Sequence, residues 1–170
     1  DTDLSSLGLK KDDFDYQPEI TKSLDSFCGN FDQTKINEII LWKINRYAAL
    51  SKDVIDKINL INIHDDILNV DLTKDILNTL LSAETKGVGL PIASTILRFK
   101  NPNIYQIIDQ RVYRYIYKNK DEIKYPKKID EQIEMYLQYL IDLKKICHEF
   151  SIKFGDADRI LFIADKKFNK

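Results

Sequence analysis

The residues Lys86-Gly87-Val88-Gly89-Leu90-Pro91 place two of the chain's five glycines inside one three-residue window, between two segments of periodic apolar residues. A tight helix-to-helix turn needs positions free of Cβ restriction. The backbone N–H groups of residues 87–90, with the positive end of a helix beginning near Pro91, make a donor-rich grip for a phosphate. Farther on, Ile107-Ile108-Asp109-Gln110-Arg111-Val112 carries a single carboxylate, Asp109. Held ionised in a cleft, one carboxylate can stabilise a developing positive charge or orient an attacking water. Each half alone is ordinary, because aspartate is a preferred helix N-cap and many helix connections use glycine without any ligand. Their pairing points to DNA.

For the two halves to form one site, the intervening elements must bring Asp109 back to the turn. A helix over about nine residues, 91–99, carries the chain roughly 13 Å away at about 1.5 Å per residue. Lys100-Asn101-Pro102-Asn103 breaks it. Residues 104–108, extended at about 3.3 Å each, return roughly 16 Å. Asp109 then caps a helix carrying Val112, Tyr115 and Ile116. Upstream, residues 1–16 lack periodicity and read as an extended arm, and Pro18 and Gly29 bracket a short helix. Ile36, Ile39, Ile40 and Ile44 have amphipathic helical spacing in a helix expected to run from Thr34 to about Leu50. Ser51 offers the next N-cap, and a further helix begins at Asp71 or Thr73. Apolar periodicity recurs over 129–150 and 156–168. With no sustained period-two alternation, the chain reads as all-α.

The 170 residues, 44% hydrophobic, suffice for a real core in a single unit. No apolar run reaches membrane-spanning length, and the acidic, polar start differs from a secretory signal, so a cytoplasmic protein is expected. Two distant cysteines, Cys28 and Cys147, cannot provide a four-cysteine iron–sulfur cluster. The net charge of -1 conceals a strong asymmetry: residues 1–85 sum to -7 and residues 129–170 to -1, whereas residues 86–128 carry 10 Lys/Arg against 3 Asp/Glu, or +7. The basic segment contains both the glycine turn and Asp109, which favours a polyanionic partner.

At this point the residues resemble a known family, the helix-hairpin-helix DNA glycosylases, which include endonuclease III and 8-oxoguanine glycosylase. Gly87-Val88-Gly89 followed by Ala93 is similar to the family's Gly-Val-Gly-x-x-x-Ala, and Ile108-Asp109-x-Arg111-Val112 to its Val-Asp-x-His-Val, at a fitting separation. The match covers residues 86–116. The resemblance implies a two-lobed all-α fold spanning 1–170 as one unit, with a helix-hairpin-helix over 75–99 and the catalytic carboxylate in 104–118. It implies a monofunctional DNA N-glycosylase that excises a damaged or modified base from double-stranded DNA; the oligomeric state is not readable from the residues, and a monomer is the expectation. Asp109 would be catalytic, with Lys86, Gly87, Val88, Gly89, Leu90, Pro91 and Arg111 on the DNA. A flipped base needs a firm backbone grip beside it. No cofactor is required, although the hairpin carbonyls could hold a monovalent cation. Bifunctional members carry a Schiff-base lysine where this chain has Pro91, so lyase activity is disfavoured. Arg111 stands in place of the usual histidine.

Family members also push a side chain into the duplex from a connection between early helices. Trp42, Lys43, Asn45 and Arg46 are the residues to examine for that role or for the base pocket, although the apolar pattern through Ile44 and Tyr47 equally fits a helix interior. Tyr113, Tyr115 and Tyr117 could stack on DNA, but alternate residues of a helix do not share one face. His64 lies beside Asp65 and Asp66 without a second histidine at ligand spacing, and His148 falls near a helix end. Neither a nucleophile elbow nor a Gly-x-x-x-x-Gly-Lys loop is present. A non-catalytic helix-hairpin-helix DNA-binding protein and a helical protein-interaction module are the alternatives.

Overall fold

Apolar residues three and four apart leave each helix of this chain with one greasy stripe, and pairing those stripes builds the molecule. A computed structural model describes residues 17–44, 48, 50–118 and 122–168. These residues form eight α-helices and no strand, as the periodicity predicts. Contacts divide the chain into two units, residues 1–47 and 48–170.

In the first unit, α1 spans Pro18–Asp25 and α2 spans Gln33–Ile44. They are joined by the Trp42 indole N–H, which donates to Thr21 Oγ1 at 2.8 Å. Neither helix contains a fully buried residue. Of the helix expected to run towards Leu50, the described part reaches Ile44, and residues 45–47 and 49 lie outside the described residues.

The second unit holds the core. It comprises α3 (Lys52–Asn59), α4 (Val70–Leu80), α5 (Leu90–Lys100), α6 (Gln110–Tyr117), α7 (Ile129–Glu149) and α8 (Ala157–Phe168), the last preceded by a 3-10 turn at Phe154–Asp156. Helix α4 contributes Ile76, Leu77 and Leu80, and α5 contributes Leu90, Ala93 and Leu97, all at most 1% exposed. Burial of each large side chain stabilises the fold by about 1.5–3 kcal/mol. Ser51 caps α3 through Val54 N–H, as its position predicts. Helix α4 starts earlier than Asp71, because Asn69 accepts Leu72 N–H at 3.1 Å and so takes the cap, while the Thr73 hydroxyl turns back onto Asn69 O. Helix α5 likewise starts at Leu90, one residue before the proline, with Gly89 at its N-cap.

Residues 105–109 are neither helix nor strand, yet they cross the interior, with Tyr105, Gln106 and Ile108 fully buried. Their polar backbone groups therefore need partners. Helix α7 supplies two: the Tyr136 hydroxyl donates to Gln106 O at 2.9 Å and the Tyr139 hydroxyl to Ile107 O at 2.7 Å. Burial pushes both hydroxyls well above the ordinary tyrosine range, so they remain protonated donors. Upstream, the buried Asn101 amide donates to Asn62 O and Asp65 O at 2.7 and 2.9 Å, fastening the end of α5 to the loop after α3.

Candidate functional site

The turn between α4 and α5 needs glycine at one position for its own geometry. Gly87 has φ 81°, a left-handed conformation that side chains resist. Gly89 does not, since its φ of -101° is accessible to any residue and an added Cβ would come only within 3.8 Å of Pro91 Cδ. The absence of a side chain at Gly89 thus leaves the start of α5 open from outside. No side chain caps α5, and Pro91 in its first turn has no N–H to satisfy. Lys86, Gly87, Gly89 and Pro91 are exposed, Val88 is half-buried, and Leu90 anchors the turn in the core.

Asp109 reaches this end of α5 through a short relay. Ile108 N–H donates to Ser94 Oγ at 3.2 Å, and the Ser94 hydroxyl donates to Pro91 O at 2.8 Å. The residue before Asp109 is therefore fastened one helical turn from the glycine segment. Asp109 itself is the N-cap of α6, with Oδ1 accepting Arg111 N–H at 2.7 Å and Val112 N–H at 2.9 Å. The cap occupies one carboxylate oxygen, so capping does not use up the group.

Half-buried, Asp109 lines a cavity of about 400 Å³ that opens to solvent, with Ile107 beside it and Asp158, Arg159, Phe162 and Ile163 from α8 opposite. Burial raises the carboxyl above its ordinary 3.8; the two N–H groups lower it, Asp158 raises it and Arg111 lowers it. Tyr125 is pushed up to about 12, chiefly by burial and then by the charge of Asp109. Phe162 and Ile163 form an apolar wall of the cavity and are 40% and 65% exposed.

The basic segment is less cationic in space than along the chain. Arg98, 6% exposed, has Nε 3.3 Å from Asp158 Oδ2. Arg114 forks onto the fully buried Asp165, its Nε 2.8 Å from Oδ1 and its Nη2 on Oδ2. Arg111 Nη1 is 3.4 Å from the same carboxylate, and its guanidinium lies over the Phe162 ring at 5.2 Å. Three of the ten basic residues therefore face carboxylates of α8, outside the segment. Lys86, Lys118, Lys124, Lys127 and Lys128 remain exposed.

Trp42 and Lys43 belong to the first unit, with Trp42 half-buried against Thr21. Asn45 and Arg46 lie outside the described residues. Tyr113 and Tyr117 pair with ring centroids 4.4 Å apart, without Tyr115. His148 sits in the last turn of α7. No group of three or more potential metal-ligating side chains gathers among the described residues, and none of their helices is long and apolar enough to cross a membrane. In the glycine turn, Gly89 O accepts Ala93 N–H at 2.9 Å, the first backbone bond of α5.

Sequence reasoning did not single out Ser94, Arg98, Asp158 or Asp165. Some signal existed: Ser94 and Arg98 are four apart among the apolar residues of α5, and Asp158 and Asp165 are seven apart, on one face of α8. Comparison with family models, curated proteins and solved structures finds no match.

Proposed function

We propose that this protein is a monofunctional DNA N-glycosylase in which α4, the glycine turn and α5 act as a helix-hairpin-helix grip within a two-lobed helical fold. The observation that carries the reading is the relay from Ile108 through Ser94 to Pro91. It holds a half-buried carboxylate beside an uncapped helix start and at the edge of an open cavity. In this reading, N–H groups at the start of α5 and the exposed Lys86 hold a phosphate of double-stranded DNA. The nucleotide beside it rotates out of the duplex, its base against Phe162. As the N-glycosidic bond lengthens, positive charge develops on the sugar, and ionised Asp109 stabilises it and orients water. Burial raises the affinity of Asp109 for a proton, and the same partial removal from water strengthens the attraction between its carboxylate and a cation developing nearby. Pro91 offers no amine for a covalent sugar intermediate.

The test is a mass-spectrometric screen for free bases released from duplexes carrying a broad set of modified bases, run with the wild type and Asp109→Asn. Release by the wild type, lost in the variant while DNA affinity is kept, supports the assignment. Unchanged release in the variant refutes the role of Asp109. Salt-sensitive binding with no release from any duplex indicates a non-catalytic DNA-binding protein, and no affinity at low salt indicates a protein-interaction module.

A further inference from the structure

Behind the cavity lies a buried ion pair that the reaction outlined above does not use. Arg98 projects from the last turn of α5 and Asp158 from the first turn of α8, 6% and 4% exposed. Charges so deeply buried are costly unless paired, and their pairing alone rarely adds stability over apolar residues of similar volume. The surroundings are specific. Arg98 Nη2 donates to Gly155 O at 3.1 Å. Asp158 N–H donates to Gln106 Oε1 at 3.2 Å, in the segment that leads to Asp109. Asp158 Oδ1 accepts Arg159 N–H at 2.7 Å. Arg98 Nε, 3.3 Å from Asp158 Oδ2, has no aligned hydrogen-bond acceptor, so the contact is one of charge more than of directed bonding. Asp158 and Asp109 line the same cavity.

We propose that Arg98 is a positioning residue for the charge of Asp109, acting through Asp158: the buried guanidinium offsets the second carboxylate so that both acids can be ionised around one cavity. The inference rests on the reading of Asp109 as the reacting carboxylate. Among the described residues, the other groups that act on Asp109 or share its cavity are Arg111 from α6, Arg159 from α8, Tyr139 from α7 and Tyr125 from the segment before α7. The tyrosines remain neutral through the acid range. Arg111 already shares Asp165 with Arg114. Asp158 is then the acid whose repulsion must be balanced, and Arg98 is the cation in contact with it.

The experiment compares wild type, Asp158→Asn and the double variant Arg98→Gln/Asp158→Asn by carboxyl NMR titration of Asp109 in the full chain without DNA. The acid limb of base release is followed in parallel. Asp158→Asn removes the repulsion and leaves the guanidinium, so the Asp109 midpoint falls, by on the order of half a pH unit or more. The double variant removes both charges, and its midpoint lies between the other two. It also retains no unpaired buried charge, which keeps the test usable should the single variant fold poorly. Equal midpoints in all three proteins, or equal midpoints in the single and double variants, overturn the inference. A purely structural role for the pair lowers release at every pH without moving the acid limb. If the NMR order holds while the wild type releases no base, the charge coupling stands and the glycosylase reading falls.

Discussion

Replacing Ser94 by alanine tests whether the relay fixes the site. Ser94 is fully buried and its hydroxyl makes two bonds, accepting Ile108 N–H at 3.2 Å and donating to Pro91 O at 2.8 Å. The second loss is small, because the same Pro91 carbonyl also accepts the Thr95 hydroxyl at 2.8 Å. The first is not, since Ile108 is fully buried and its N–H would be left without an acceptor. An orphaned buried donor costs about 1–3 kcal/mol, whereas a typical satisfied bond contributes about 1 kcal/mol net. Ser94→Ala is therefore expected to lower unfolding free energy by about 1–3 kcal/mol, and Thr95→Ala, at a half-buried position, by no more than roughly 0.5 kcal/mol from its hydrogen bond. Urea unfolding measures both. Hydrogen exchange localises the effect, because the Ile108 amide should lose protection in Ser94→Ala and keep it in Thr95→Ala. Equal stabilities for the two variants, with Ile108 still protected, would refute the relay.

The same geometry yields further expectations. Tyr139→Phe leaves Ile107 O without its hydroxyl donor and should cost about 1–3 kcal/mol by urea unfolding. Lys86→Ala should reduce the slope of log affinity for duplex DNA against log salt by about 0.9, one phosphate contact, without altering release from a saturated complex. Borohydride treatment during base release should trap no covalent DNA adduct, since position 91 lacks an amine; a trapped adduct would require another nucleophile. The acid limb of release should lie above pH 3.8, because Asp109 binds its proton more tightly in the fold than in the unfolded chain. By the same linkage, the Asp109 contribution to stability is most favourable below the unfolded value and declines as pH rises through the window between 3.8 and the raised folded value. Asp109→Asn should therefore unfold with a flatter pH dependence there, while keeping the cap.

Helical period and capping chemistry were readable before any coordinates. Asp109 and Ser51 cap where their side chains predict, and the 129–149 stripe becomes α7. Those signals are local, written within four residues of where they act. What stayed hidden depends on distant partners. Nothing local to Tyr139 says that its hydroxyl will satisfy Ile107, and Asn69 displaced Asp71 as a cap because either side chain could serve until packing set the helix start. The glycine turn and Asp109 were legible as a pair, but the serine between them was not, because a lone serine among apolar residues has many uses. Segment charge is incomplete for the same reason: summing along the chain misses the α8 carboxylates that fold back onto Arg98, Arg111 and Arg114.

Helix α8 therefore serves as an internal counterion. A chain ending before Ala157 would lose Asp158 and Asp165 together, leaving three guanidiniums without the carboxylates they meet in the fold. Such a fragment should adhere to any polyanion more strongly than the whole chain while lacking one wall of the cavity. Under the proposed function, affinity for nucleic acid and base release would then move in opposite directions, so retention of a fragment on a heparin or DNA column would not report that activity.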